Sequence, residues 1–579
     1  MTALRFTAQG LPTVQPVRES DVGKETLMKR LWNKVLRRPA VVAVAGVLAA
    51  TCFTVPASSA APVTSSVQAA SAVLAQRAVA PPAWRKCGDG FECASIPVPR
   101  DYSQPNGPAI TIALARFPAS DPAKRIGSVF LNPGGPGGSG VDMARGLGAP
   151  LDQLLGGRLD IVGFDPRGVG ASTSVRCFTG PVEEAQFYAN QPVFPVGRQE
   201  QERYSATTKV LTDSCGARNG ELLRHVSTEN TARDLDVLRA AVGDEALTYL
   251  GGSYGTILGA TYANLFPDRI RALVLDGVSD PEDYTSDLIR WTAGSLRDTE
   301  AVLAGFARSC TQAGPQLCAL AGNGNVQQRV ERLLNRLRRA PIPAPKVPEV
   351  PGGLDYATTV GILFISLYST GAWPALAAGI AAAENGDGSP LLAVTSQLIA
   401  GRPAGSAQQD PYNNFADART AIICTDSPSP RDPARWPSLV RRLERVSPHF
   451  AALLTWGTDL PCATWPARAA DRYTGPWNAR TSNPVLLIGV TKDPITPLAS
   501  ARKLARLMGP SAVLLTHDGY GHTSFGQISS CTLDIVSAYL VTTLPPPRGT
   551  VCRPDAPPFL SEAARKAGTP HPLQRFSAP

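Results

Sequence analysis

The chain has 579 residues, 43% of them hydrophobic, so it can bury one large core with an insertion, or two cores, and global disorder is excluded. Residues 1–60 carry five of its nine net positive charges, and no basic stripe interleaved with aromatics follows. The balance therefore argues against a nucleic-acid partner. The 52 glycines and 53 prolines fall in short turns, which sets aside a fibrous chain.

The first element is a leader. Met28-Lys-Arg-Leu-Trp-Asn-Lys-Val-Leu-Arg-Arg38 is a basic segment, Val41–Ala50 is apolar, and Ala57-Ser-Ser-Ala60 offers small residues for cleavage. This pattern predicts a signal peptide over 1–60, with Met28 a candidate start, and hence a secreted, extracellular protein. The apolar run is shorter than the ~20 residues that span a bilayer, so no stable membrane span is expected in the mature form. Cys52 raises a cell-surface lipoprotein alternative, weakened because Leu48 stands one residue too far from it. Ten further cysteines, an even number, fit disulfides in an oxidising compartment. Joining neighbours along the chain gives five local bridges, one of many possible pairings.

Residues 61–84 read as a flexible lead-in. From 85 to 280 short apolar strands alternate with helices. Strands are expected at 108–117, 127–132, 159–164, 247–250 and 272–275, with helices at 230–242 and 256–266. That rhythm predicts an α/β fold with a mostly parallel central sheet flanked by helices. Residues 281–470 break it with helical stretches at 291–310, 326–339, 358–384 and 437–454 and Pro-rich joints, and read as an inserted, mainly helical cap. The sheet resumes over 471–550, with strands at 485–490 and 512–515 and helices at 498–508 and 528–540. Residues 551–579 read as a tail.

Gly251-Gly-Ser-Tyr-Gly255 fits G-x-S-x-G, follows an expected strand and opens an expected helix, which is the context that makes Ser253 a candidate nucleophile. A serine hydroxyl needs a base. Of five histidines, His225 precedes the serine, His449 lies in the cap and His571 in the tail. His517 and His522 follow the last strand. His522 is favoured because Gly519-Tyr-Gly521 gives it a mobile, exposed loop, whereas His517 at the strand's end reads as structural. Asp493 follows the strand at 485–490 and is the candidate acid; a helix-capping role is its alternative. Backbone amides at Tyr254 and Gly135 are the candidate oxyanion donors, the second from the glycine-rich loop 133–137. A phosphate-binding reading of that loop lacks the Lys-Ser/Thr it would need.

Five segments together resemble the proline iminopeptidase and tripeptidyl aminopeptidase group of α/β-hydrolases over most of residues 85–555. They are Asn132-Pro-Gly-Gly-Pro-Gly-Gly-Ser-Gly140, Gly163-Phe-Asp-Pro-Arg-Gly-Val-Gly-Ala-Ser172, Thr228-Glu-Asn-Thr-Ala-Arg-Asp-Leu-Asp-Val-Leu-Arg239, Gly251–Gly255 and Asp493-Pro-Ile-Thr-Pro497. Pro133 stands where proline iminopeptidases carry a histidine, which is more similar to the secreted tripeptidyl branch. The resemblance implies the α/β-hydrolase fold and a serine exopeptidase that takes peptides with a free N-terminus and releases short pieces, tripeptides foremost. It implies no metal and no organic cofactor. Such an enzyme must recognise an ammonium, for which Asp426 and, more weakly, Glu229 are candidates alongside bland surface or capping roles. A secreted carboxylesterase with the same triad, and a non-catalytic surface-binding protein on the same fold, are the rival readings.

Overall fold

The computed structural model describes residues 80–189, 191–400 and 412–560. The expected leader, most of the lead-in and the end of the tail lie outside the described residues, as does His571.

Ten strands form one sheet in the order β1-β2-β3-β5-β4-β6-β7-β8-β9-β10. They are β1 Arg85–Lys86, β2 Glu92–Pro99, β3 Ala109–Phe117, β4 Ser128–Asn132, β5 Asp160–Phe164, β6 Leu247–Gly252, β7 Ile270–Asp276, β8 Val485–Lys492, β9 Ala512–Tyr520 and β10 Val551–Cys552. The first three strands and the β3–β5 pair are antiparallel. From β5 onward every pairing is parallel. Parallel strands need crossover helices, and those helices cover both faces of the sheet. Accordingly β4 and β5 are buried at every residue, which is why they read in sequence as unbroken apolar runs rather than alternations.

One face packs the helices Thr228–Ala241, Gly255–Leu265 and Leu498–Met508 against Phe130, Tyr249 and Leu487. The other packs Gly140–Leu154 and Ser530–Thr542 against Val129, Leu131 and Ile488. Helix Gly140–Leu154, which has no counterpart in the sequence reading, starts where Ser139 accepts the amide of Asp142, an N-cap that satisfies an otherwise orphaned donor.

Between β7 and β8 the chain leaves the sheet and builds a helical layer with its own apolar core around Leu296, Phe306, Trp373, Trp436 and Trp456. A second excursion, inside the segment read as uninterrupted sheet-and-helix core, carries helix Arg198–Asn219. Its Leu211 and Cys215 share an apolar cluster with Ile422, Cys462 and Trp465 of the larger insertion. The helical stretch expected over 358–384 consists of two helices, Tyr356–Ser366 and Trp373–Glu384. Ser369 is extended and its hydroxyl accepts the amide of Gly371, while Pro374 opens the second helix, where a missing N–H costs nothing.

Five disulfides join neighbouring cysteines: Cys87–Cys93, Cys177–Cys215, Cys310–Cys318, Cys424–Cys462 and Cys531–Cys552. The last ties β10, within the expected tail, to helix Ser530–Thr542. Among the described residues no helix is long and apolar enough to cross a membrane.

Candidate active site

Ser253 sits between β6 and helix Gly255–Leu265 with φ +56, a left-handed conformation that costs a non-glycine residue about 1–2 kcal/mol. The turn is held from outside. The amide of Ser253 donates to Asp276 O at 2.9 Å, and Thr256 returns its amide and hydroxyl to Ser253 O at 2.9 and 2.6 Å. The flanking glycines are required by space: a Cβ on Gly251 would stand 2.4 Å from the Tyr249 ring, and one on Gly255 2.9 Å from Asn132 O. Ser253 borders the large cavity between sheet and cap, and among the described residues its hydroxyl has no hydrogen-bond partner.

His522 follows β9. Its Nδ1 lies 3.0 Å from each oxygen of Asp493, which follows β8. The carboxylate also accepts the amides of Ile495, Thr496 and Thr523 and the Thr496 hydroxyl, at 2.7–3.1 Å. Asp493 thus orients the imidazole and closes its own turn at once; it does not cap the helix Leu498–Met508, whose N-cap is Pro497 with no side-chain hydrogen bond. Burial pushes its carboxyl up, but the charge and hydrogen bonds of His522 and these amides outweigh that and hold it below the ordinary carboxylate value.

The loop expected to be mobile and exposed is buried and largely strand. β9 runs on through Tyr520, and His522 is 8% exposed. Its amide donates to Tyr368 O at 2.8 Å, and the Tyr368 ring lies 5.0 Å from the imidazole, edge to face. Tyr368 comes from the break between the two cap helices, so the interruption delivers a residue to the site. Thr523, at φ +59, packs toward the serine turn: its Cγ2 is 3.7 Å from where a Cβ on Gly252 would stand. His517 is fully buried beside Thr532, and burial lowers it to about 4.

The glycine loop after β4 closes over the same turn. A Cβ on Gly134 would lie 2.5 Å from Gly252 O and 2.9 Å from the amide nitrogen of Tyr254. Among the described residues neither the Gly135 nor the Tyr254 amide donates to a protein acceptor, whereas that of Gly134 is spent on Asn132 Oδ1. These two N–H groups stay the candidate donors to an oxyanion at Ser253.

Ser253, Gly135, Tyr254 and His522 all border the cavity, about 1590 Å³ in volume, and Asp493 reaches it through His522. Asp426 and Glu229 do not join them. Asp426 is 1% exposed and accepts from the Thr228 amide, its hydroxyl and Tyr284 OH, and burial raises it to about 6. It is a joint between the cap and helix Thr228–Ala241, already saturated and with no face to a ligand. Glu229 pairs with Arg233 one helical turn on, at 2.8 Å. The carboxylates that do border the cavity are Asp142, Asp165 and Asp276. Asp165 is consumed by Ser139 and the amides of Val141 and Ala171. Asp276, Tyr368 and Thr496 are the site residues that sequence reasoning missed; only Thr496, inside a quoted motif, carried a local signal. Among the described residues no group of three or more His, Cys, Asp or Glu is placed to hold a metal ion.

Comparison with known proteins accords with this geometry. Residues 127–379 match the family described as alpha/beta hydrolase fold, and residues 447–552 match one described as TAP-like protein. The chain is 33% identical over 478 residues to serine protease Hip1 of Mycobacterium tuberculosis, covering 81% of this chain and 88% of that protein. It is 31% identical to the tripeptidyl aminopeptidase of Streptomyces lividans over 82% of this chain and 87% of the relative. It is 30% identical to carboxylesterase B of M. tuberculosis over 80% and 86%. A strained serine turn, a carboxylate-bound histidine and an amide-lined loop thus occur in a chain that aligns with such relatives over most of its length, and it belongs to the tripeptidyl aminopeptidase-like family of α/β-hydrolases, as a serine hydrolase.

Proposed function

We propose that the protein is a secreted serine aminopeptidase that releases short peptides, tripeptides foremost, from the free N-terminus of peptide substrates by way of an acyl-enzyme on Ser253. The observation that carries this reading is His522 Nδ1 bound to both Asp493 oxygens while Ser253 and His522 border one cavity. With Nδ1–H donated to Asp493, Nε2 is the base. Substrate binding brings the Ser253 hydroxyl under Nε2, a contact that commonly tightens only in the complex. Oγ attacks the carbonyl as its proton passes to Nε2, and the oxyanion is received by the amides of Gly135 and Tyr254. The C–N bond breaks, Nε2 protonates the leaving amine, and water, activated by the same imidazole, releases the acyl group.

The cap supports an exo mode of attack. Cap residues Phe364, Tyr368, Phe415 and Leu453 wall the cavity together with the sheet's loops, a chamber suited to a chain end. The ammonium contact does not fall to Asp426 or Glu229, neither of which borders the cavity. The disulfides support an oxidising, extracellular setting.

The test is hydrolysis of unblocked against N-acylated tripeptide anilides, with Ser253→Ala as the blank. The expected result is turnover of the unblocked substrate with loss of at least about tenfold in kcat/KM on acylation. Equal rates would sink the aminopeptidase reading, and turnover of esters alone would favour the esterase reading that the carboxylesterase B relative supports.

A further inference from the structure

Arg419 stands on helix Phe415–Asp426, which leans on the glycine loop. A Cβ on Gly137 would lie 2.8 Å from Phe415 O and 2.9 Å from Arg419 N, and one on Gly135 would lie 3.1 Å from the Phe415 ring. The loop expected to supply an oxyanion donor and the start of this helix are therefore in direct contact. From that position the Arg419 side chain borders the cavity.

Its guanidinium is underused. It donates to Thr458 Oγ1 at 3.2 Å, and among the described residues no carboxylate pairs with it. The next residue, Asp459, is fully buried and accepts from Thr292 at 2.8 Å, so its field reaches Arg419 without an ion pair. The phenols of Tyr368 and Tyr284 are near it, and the cavity it borders is walled also by Phe364 and Leu453. Their desolvation pushes Arg419 below its ordinary value, against the pull of Tyr368, Asp459 and Tyr284, yet an arginine does not surrender its charge. A guanidinium has five donors in a planar fork that matches a carboxylate. In a poorly solvated wall, that pairing is strong and directional.

We propose that Arg419 is a carboxylate-binding residue of the substrate cavity, receiving either the C-terminal carboxylate of a short peptide or an acidic side chain. The proposal rests on the reading of this cavity as the hydrolytic site and adds to it the charge of the preferred substrate.

The experiment uses the full-length oxidised protein and three unblocked peptides: a peptide amide with no carboxylate, the same peptide with a free C-terminus, and the amide with one residue replaced by glutamate. In the wild type, at least one carboxylate-bearing peptide is expected to exceed the carboxylate-free amide in kcat/KM by about tenfold to a hundredfold. That ratio should collapse to about one in Arg419→Gln. A preference for the free C-terminus assigns the first source, and a preference for glutamate the second. No preference, or one that survives Arg419→Gln, overturns the assignment. Should the variant fail to fold, inhibition of the wild type by N-acetyl peptide acids against their amides replaces it. The acids should then bind about tenfold tighter, and equal inhibition overturns the proposal. Fluorophosphonate labelling keeps the two readings apart. A wild type that labels and cleaves without charge preference defeats Arg419 alone, whereas one that never labels defeats the hydrolytic site itself.

Discussion

Asp276 receives three hydrogen bonds from Ser524: the amide at 3.0 and 3.1 Å to its two oxygens, and the hydroxyl at 2.6 Å. Its own carbonyl accepts the amide of Ser253. One residue at the end of β7 therefore ties the segment that carries His522 to the turn that carries Ser253. Because the bond to Ser253 is through backbone, Asp276→Ala keeps the serine turn and releases the histidine segment. The expected result is a fall in kcat of about tenfold to a hundredfold with KM little changed, since small misplacements of a catalytic group carry such losses. Steady-state kinetics on an unblocked tripeptide anilide checks it; an unchanged kcat would show that the histidine segment is held by other means.

Thr496 donates its hydroxyl to Asp493 Oδ2 at 2.7 Å and lies 3.2 Å from His522 Nδ1. It supports the acid and fills the space beside the imidazole. Thr496→Val removes one buried hydrogen bond at nearly constant volume, worth about 1 kcal/mol, so kcat is expected to drop roughly five- to tenfold. Thr496→Ser should restore most of it. Equal loss in both variants would mean that shape, not the hydroxyl, is what matters there.

Gly134 has φ +92 and no room for a side chain, as the 2.5 Å approach to Gly252 O shows. Gly134→Ala forces the glycine loop away from Tyr254 and separates the two free amides. Loss of one oxyanion donor lowers kcat by about 100- to 1000-fold. A folded Gly134→Ala protein, judged by near-ultraviolet circular dichroism, should show a loss of that order, and full activity would remove the loop from the oxyanion site.

Asp426 titrates near 6 because burial penalises its charge, so the folded state binds its proton more tightly than the unfolded chain does. Between about pH 4 and 6 the folded state holds more of this proton, and stability from this group falls as pH rises through that window. Asp426→Asn carries no such penalty. Its deficit relative to wild type is expected to be larger at pH 4.5 than at pH 7, by about 2 kcal/mol. Urea unfolding at the two pH values, with disulfides intact, measures the difference, and a deficit independent of pH would contradict it.

What could be read from residues alone was local. The apolar runs at 127–132 and 159–164 announce buried parallel strands, and the elbow around Ser253 is marked by its own glycines and its place between strand and helix. The order serine, acid, histidine follows from strands succeeding one another in the sheet, so the spacing between residues 493 and 522 was legible. Partners joined by packing across hundreds of positions left no such trace. Asp426 meets Thr228 across 198 residues, Ser524 meets Asp276 across 248, and the Tyr368 carbonyl meets His522 from a helix break in a different layer. Periodicity and turn chemistry record a residue's immediate neighbours along the chain. Whether a buried carboxylate is saturated, or a guanidinium left facing a cavity, depends on which distant surfaces apolar burial brings together, and the tertiary structure alone decides that.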